Sequence, residues 1–137
     1  MIEAMKEFRI CYAHRLHGHP GPCRHLHGHN GVLRIFVRAE GPDRLGMAAD
    51  FSEIKDAMEP LALSWDHAVL LAEDDPLADV LDSHGERVRR LPCPPSAEML
   101  AREALRFARA RGLAAHRAEW QETDSCMGAC EGPGGQA

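Results

Sequence analysis

The sequence predicts an α+β domain, a four-stranded antiparallel sheet with two helices on one face. Three observations lead there. Apolar and polar residues alternate with period two over residues 5–14, 27–39 and 115–123. Apolar residues recur at helical spacing over residues 51–64 and again after Ser96. The strand-like stretches lie at the two ends of the chain and the helical ones between them, which gives the order ββ-α-(insert)-α-ββ.

The first strand, residues 5–14, places Phe8, Ile10, Tyr12 and His14 on one face and Arg9, Cys11 and Ala13 on the other. Gly18, Pro20, Gly21 and Pro22 make residues 15–25 a loop, and His17 and His19 read as solvent-exposed loop histidines. The second strand, residues 27–39, begins with His27 and His29 on the face that continues as Leu33, Ile35 and Val37. Gly31 inside it suggests a bulge or a close approach. After a turn at Gly41-Pro42-Asp43, Asp50 caps a helix over 51–64 that buries Ile54, Met58 and Leu61. Pro60 is expected to kink or restart that helix. Asp66 and His67 follow it directly.

Residues 73–95 hold several prolines and Gly85, with a helical turn near 76–82 and a short strand near 87–91. Ser96 caps the second helix, whose buried stripe is Leu100, Ala104, Phe107 and Ala108, and Gly112 ends it. Arg102, Arg106 and Arg109 read as its solvated face. The third strand, residues 115–123, puts Glu122 on the Trp120 face, and residues 127–131 make a short fourth strand. Residues 1–131 form a single domain and 132–137 a disordered tail. A four-stranded sheet has two open edges, which favours oligomerisation by sheet extension.

Composition narrows the function. The chain has 137 residues, 45% hydrophobic and 27% charged, enough for one domain with its own core. Aromatics are 5% and the net charge is −5, which argues against a nucleic-acid surface. No apolar run reaches membrane-spanning length and the N-terminus has no signal-peptide pattern. Five cysteines without a signal suit reduced thiols in the cytoplasm, and Cys126 and Cys130 read as free thiols.

The stretch Cys23-Arg24-His25-Leu26-His27-Gly28-His29-Asn30 carries the chemistry. Residues i and i+2 of a strand share a face with Cα atoms about 6.5–7 Å apart, so His27 and His29 can converge on one metal ion. Pairing of the first two strands brings His14 to the same end. Three imidazoles with an open fourth position are the pattern of a catalytic zinc site. Cys23, in the preceding loop, is a ligand, a nucleophile or base beside the metal, or a small apolar residue. Asp66-His67 alone does not separate surface residues from functional ones.

Taken together, Tyr12-Ala13-His14-Arg15-Leu16, Cys23-x3-His27-Gly28-His29-Asn30, Asp50-Phe51, Asp66-His67 and Gln121-Glu122-Thr123 resemble the 6-pyruvoyl tetrahydropterin synthase superfamily. The resemblance covers about residues 7–123. The short Cys-x3-His-Gly-His spacing is similar to the bacterial 6-carboxytetrahydropterin synthases of the queuosine (7-deazaguanine) pathway. The resemblance implies a tunnelling fold whose subunits join edge to edge into a trimeric β-barrel, usually stacked as a hexamer, with each active site at a subunit interface. It implies 7,8-dihydroneopterin triphosphate as substrate, with acetaldehyde, triphosphate and 6-carboxy-5,6,7,8-tetrahydropterin as products. It implies His14, His27 and His29 as zinc ligands, Cys23 as catalytic base, Asp66 and His67 as its partners, and Glu122 as the anchor of the pterin ring.

The chain departs from that pattern in places. The family usually has an aromatic where Gly31 stands, an Asn near Leu71, and Asn-Pro-Thr where this chain has Pro94-Pro95-Ser96. Residues after Glu122 are also uncommon choices. A 6-pyruvoyl-type lyase, a side-chain aldolase and a non-catalytic pterin-binding paralogue are the alternatives. Arg15, Arg24, His25 and Lys55 are candidates for the triphosphate by charge and position.

Overall fold

A computed structural model describes residues 1–133. The tail expected over 132–137 therefore lies, from residue 134 on, outside the described residues. The chain forms β1 (Ile2–His14), a 3-10 turn (Pro22–Arg24), β2 (His27–Ala39), α1 (Phe51–Trp65), β3 (Ala68–Ala72), α2 (Leu77–Ser83), β4 (Val88–Leu91), α3 (Ala97–Ala110), β5 (Ala115–Thr123) and β6 (Cys126–Glu131).

The sheet has six strands in the order β4-β3-β1-β2-β5-β6, and it is mixed. This corrects the expected four antiparallel strands and two helices. The four expected strands are β1, β2, β5 and β6, all antiparallel to their neighbours in that run. The two added strands, β3 and β4, are parallel to β1 and to each other. β4 and α2 stand where the short strand near 87–91 and the helical turn near 76–82 were expected, so β3 is the strand that alternation does not reveal. β3 is Ala-Val-Leu-Leu-Ala, a short apolar run with no period, and β4 has only four residues. Parallel neighbours need a crossover: β2 and α1 together lie between β1 and β3, and α2 lies between β3 and β4.

The two long helices sit where helical spacing predicts. Asp50 caps α1 by accepting the Ser52 N–H at 2.8 Å. The helix continues through Pro60 to Trp65 rather than restarting. Ser96 caps α3 by accepting the Met99 N–H at 3.3 Å, and the last turn of α3 closes against Gly112 at φ +89. Ile54 and Met58 of α1 and Leu100, Ala104, Leu105 and Ala108 of α3 pack with Ile10, Leu33, Ile35 and Trp120 of the sheet as one buried core. The opposite face of the sheet is charged. Register partners form ion pairs there, Arg34 with Glu119 at 3.7 Å and Arg117 with Glu131 at 3.1 Å.

One crossing sets the position of β6. A Cβ on Gly128 would stand 2.6 Å from the Ala97 carbonyl carbon and clash with the Glu98 amide. Only glycine lets this strand cross the first turn of α3, and the crossing brings Cys126 and Met127 beside the histidine end of the sheet.

Candidate metal centre

The β1–β2 register builds the centre. His14 stands directly opposite His27, and Tyr12 opposite His29. All three imidazoles lie on the core-facing side of the sheet at its end, and one donor atom from each lies within 4.8 Å of the others. Their ring centroids are 4.7, 5.0 and 5.2 Å apart.

Backbone carbonyls orient two of the rings. His14 Nδ1 bonds the Pro95 carbonyl at 2.7 Å, and His27 Nδ1 bonds the His25 carbonyl at 2.6 Å. A carbonyl only accepts, so each Nδ1 carries the proton and each Nε2 keeps its lone pair. Nε2 of His14 and Nε2 of His29 are buried without a hydrogen-bond partner. Such orphaned polar atoms cost about 1–3 kcal/mol each unless something binds them. Burial pushes the His14 imidazole down to about 4, the neighbouring His27 and His29 push the same way, and the Pro95 carbonyl opposes them. His14 is therefore neutral near pH 7, the form that coordinates a metal. Three convergent nitrogen donors, two of them orphaned, fit a cation such as zinc.

Cys23 is placed by its loop. Pro22 starts the 3-10 turn and the Leu16 N–H donates to the Cys23 carbonyl at 2.8 Å. The thiol lines a cleft of about 170 Å³ together with His14, His27, Ser96, Glu98 and Glu122. Cys126 and Met127 of β6 also line it. Cys23 is thus a wall of the histidine cleft rather than a core residue.

Asp66 and His67 are elsewhere in the chain's own fold. Asp66 lines a separate hollow with Arg9, Cys11, Asn30 and Gly31. Its Oδ1 accepts the Cys11 N–H at 2.8 Å and its Oδ2 meets His67 Nδ1 at 2.9 Å. The Cys11 amide, and then His67, hold the Asp66 carboxyl below its ordinary range. His67 has φ +56, a left-handed conformation unusual for a non-glycine residue, and its N–H donates to the Cys11 carbonyl at 2.6 Å. The His67 side chain is 77% exposed, so within one chain this pair faces solvent and not Cys23.

Glu122 comes in from the end of β5. One carboxylate oxygen is 3.6 Å from His14 Nε2 and the other 3.9 Å from His29 Nε2. Beneath it, Tyr12 accepts the Trp120 indole N–H at 2.9 Å and packs against the rings of His14 and His29. Burial pushes the Tyr12 hydroxyl well up from its ordinary value. The same ring accounts for Gly31, since a Cβ there would stand 2.8 Å from Tyr12 Cε1 and 3.2 Å from Trp120 Cζ2. The aromatic ring missing at position 31 is matched by one that reaches over it from β1.

Two positioning residues were not legible in the sequence: Pro95, through its carbonyl, and Asp75, buried under Arg15 and bonded to it twice. That contact occupies Arg15, one of the triphosphate candidates. Arg24 donates to the Pro20 carbonyl at 3.1 Å, and Arg24, His25 and Lys55 are exposed. His17 is exposed as expected, while His19 is half-buried and accepts the Gly21 N–H at 2.9 Å. The two prolines before Ser96 marked an irregular segment there, and nothing local showed which side chain the Pro95 carbonyl would meet.

The family model described as 6-pyruvoyl tetrahydropterin synthase matches residues 3–133. A protein of Rickettsia bellii named 6-carboxy-5,6,7,8-tetrahydropterin synthase is 37% identical over 108 residues, covering 74% of this chain and 75% of its own. Its namesake in Rickettsia felis is 34% identical over 104 residues, with the same coverage. Among solved structures, an uncharacterized protein of Wolinella succinogenes superposes with TM-score 0.82 at 21% identity, covering 95% of this chain and 97% of its own. The 6-pyruvoyl tetrahydropterin synthase of Caenorhabditis elegans superposes with TM-score 0.72 at 19% identity, covering 96% and 95%. These two likenesses establish the tunnelling fold.

Proposed function

This chain belongs to the 6-pyruvoyl tetrahydropterin synthase family, and from that membership we propose that it is a zinc-dependent 6-carboxy-5,6,7,8-tetrahydropterin synthase. The proposed substrate is 7,8-dihydroneopterin triphosphate, and the products besides the carboxypterin are acetaldehyde and triphosphate, within 7-deazaguanine (queuosine) biosynthesis. The observation that carries this reading is the shared cleft of Cys23, His14, His27 and Glu122, joined to relatives that carry that enzyme's name.

Each residue has a role that its surroundings support. His14, His27 and His29 would hold the zinc ion through Nε2. When bound, the ion supplies Lewis acidity to the hydroxyl and carbonyl oxygens of the substrate side chain. Cys23 takes a proton from side-chain carbon, a task for which a thiol beside a cationic site is suited. Asp66 fixes the tautomer of His67, which then passes protons at its other ring nitrogen. Glu122 accepts N–H bonds from the pterin's amino-pyrimidinone edge.

The separation of Cys23 from Asp66 and His67 supports an assembly in which these groups come from different copies. The open edges β4 and β6 are the available junctions for a trimer, or a hexamer of two trimers. No helix among the described residues is long and apolar enough to cross a membrane.

The test is a product assay. Zinc-loaded protein incubated with 7,8-dihydroneopterin triphosphate is expected to yield a pterin with the mass of the 6-carboxy product. A 6-pyruvoyl or 6-hydroxymethyl product, or no product, would refute the assignment.

A further inference from the structure

The position of Glu122 has no explanation in anchoring a ring alone. Its carboxylate faces the Nε2 atoms of His14 and His29 at 3.6 and 3.9 Å. Both separations exceed a hydrogen bond. In His14 the proton is committed to the Pro95 carbonyl, so the atom facing Glu122 is a lone pair. A carboxylate pointed at a lone pair is a repulsive contact, and the His14 side chain that carries the lone pair is only 3% exposed.

The distances have a natural reading in coordination geometry. Four ligands about 2.0–2.1 Å from a tetrahedral ion stand about 3.3–3.4 Å from one another. One Glu122 oxygen lies within about 0.3 Å of that separation from His14 Nε2, and the other about 0.5 Å beyond it from His29 Nε2. A cation between them turns the repulsion into attraction and satisfies both orphaned nitrogens at once. The backbone that carries Glu122 is anchored close by. Glu122 follows Trp120 by two residues on the same face of β5, and Trp120 is fully buried and bonded to Tyr12.

We infer that Glu122 is a fourth, displaceable ligand of the metal, closing the site as His14, His27, His29 and Glu122 before substrate arrives. This deepens the proposed function and rests on its metal site. It gives one carboxylate two successive partners, so the site opens only when a ring with N–H donors draws Glu122 away. The resting ion is then coordinatively closed to small ligands.

Cobalt(II), whose visible absorption reports ligand number and type, tests this without turnover. Purified apo-protein is titrated with Co2+ in competition with a chelator, and the same is done for Glu122→Gln. The expected result is an affinity about 10–100-fold weaker in the variant, the scale on which loss of a supporting group acts at such sites, with a changed visible spectrum. Equal affinity and an unchanged spectrum would overturn the role of Glu122 and leave the three-histidine site standing. Failure of the wild-type protein to bind Co2+ or Zn2+ would overturn the metal reading itself, and this inference with it. Circular dichroism melts of both apo-proteins check the fold. If Glu122→Gln does not fold, Glu122→Asp, with its carboxylate drawn back by one methylene, carries the same comparison: weaker binding with a changed spectrum supports the ligand role, and unchanged binding overturns it.

Discussion

Arg15 grips Asp75 through two parallel bonds, Nε to Oδ2 at 2.8 Å and Nη2 to Oδ1 at 2.5 Å. Asp75 also accepts the Leu77 N–H at 2.9 Å at the start of α2. The Asp75 side chain is 1% exposed, covered by the arginine that neutralises it. The pair ties the residue after His14 to the turn between β3 and α2. It thereby fixes where the Cys23 loop leaves the sheet.

This pair predicts a pH dependence. The Arg15 guanidinium, more than any other group, holds the Asp75 carboxyl below its ordinary range. An unfolded aspartate takes up its proton near pH 4, before the folded one does. The stabilisation is therefore complete above about pH 4 and is lost as the pH falls through the lower folded value. Asp75→Asn is expected to cost about 2–3 kcal/mol near neutral pH, because it leaves the arginine half-buried and unpaired. Urea melts of both proteins from pH 7 to pH 2.5 should show that difference shrinking below pH 4. A constant difference would exclude the ion pair as its source.

Metal and thiol separate cleanly by mutation. His27→Ala and His29→Ala are expected to lose zinc and turnover together. Cys23→Ala is expected to keep its zinc and lose about 10²–10⁴-fold in kcat, the usual contribution of a general base. Zinc content by elemental analysis beside the product assay reads both. Full turnover in Cys23→Ala would remove the thiol from the mechanism.

Mixed assemblies test whether the site is shared between copies. Cys23→Ala and His67→Ala are each expected to be inactive alone. Unfolded together and refolded as an equal mixture, they should regain about a quarter of wild-type activity, since half the thiols and half the imidazoles survive and meet at random across an interface. No recovery beyond the sum of the two variants would place both groups in one chain's site.

The Tyr12–Gly31 contact predicts two costs in the core. Gly31→Ala puts a methyl 2.8 Å from Tyr12 Cε1 and should destabilise by about 1–3 kcal/mol through overpacking. Tyr12→Phe leaves the buried Trp120 N–H without an acceptor and should cost about 1–3 kcal/mol. Combining them with denaturant melts gives a direct check. If the ring moves away once its hydroxyl is gone, the double variant will cost less than the sum.

What the sequence conveyed depended on range. β2 and β5 run from His27 to Ala39 and from Ala115 to Thr123, the bounds that alternation predicts, because each presents one buried and one polar face. The three histidines were legible for the same reason, as strand register follows from period two. β3 escaped because it lacks that contrast. Asp75 and Pro95 escaped because their partners, Arg15 and His14, lie 60 and 81 residues away, and no local pattern encodes a contact at that distance. The pair Asp66-His67 was visible as letters, yet its exposure and its distance from the cleft follow only from where α1 delivers the chain.

The three imidazoles all stand on one hairpin, β1 paired with β2, whereas Glu122 and the Asp66-His67 pair arrive from later segments. Closing that hairpin involves a short loop and little entropy, while bringing in β5 closes a much longer one. A two-stranded hairpin alone is marginal in water, and an ion bridging His14 to His27 and His29 would act on it as a cross-link between strands. Metal capture can therefore precede completion of the sheet, so a nascent or truncated chain that retains zinc is not thereby a finished enzyme.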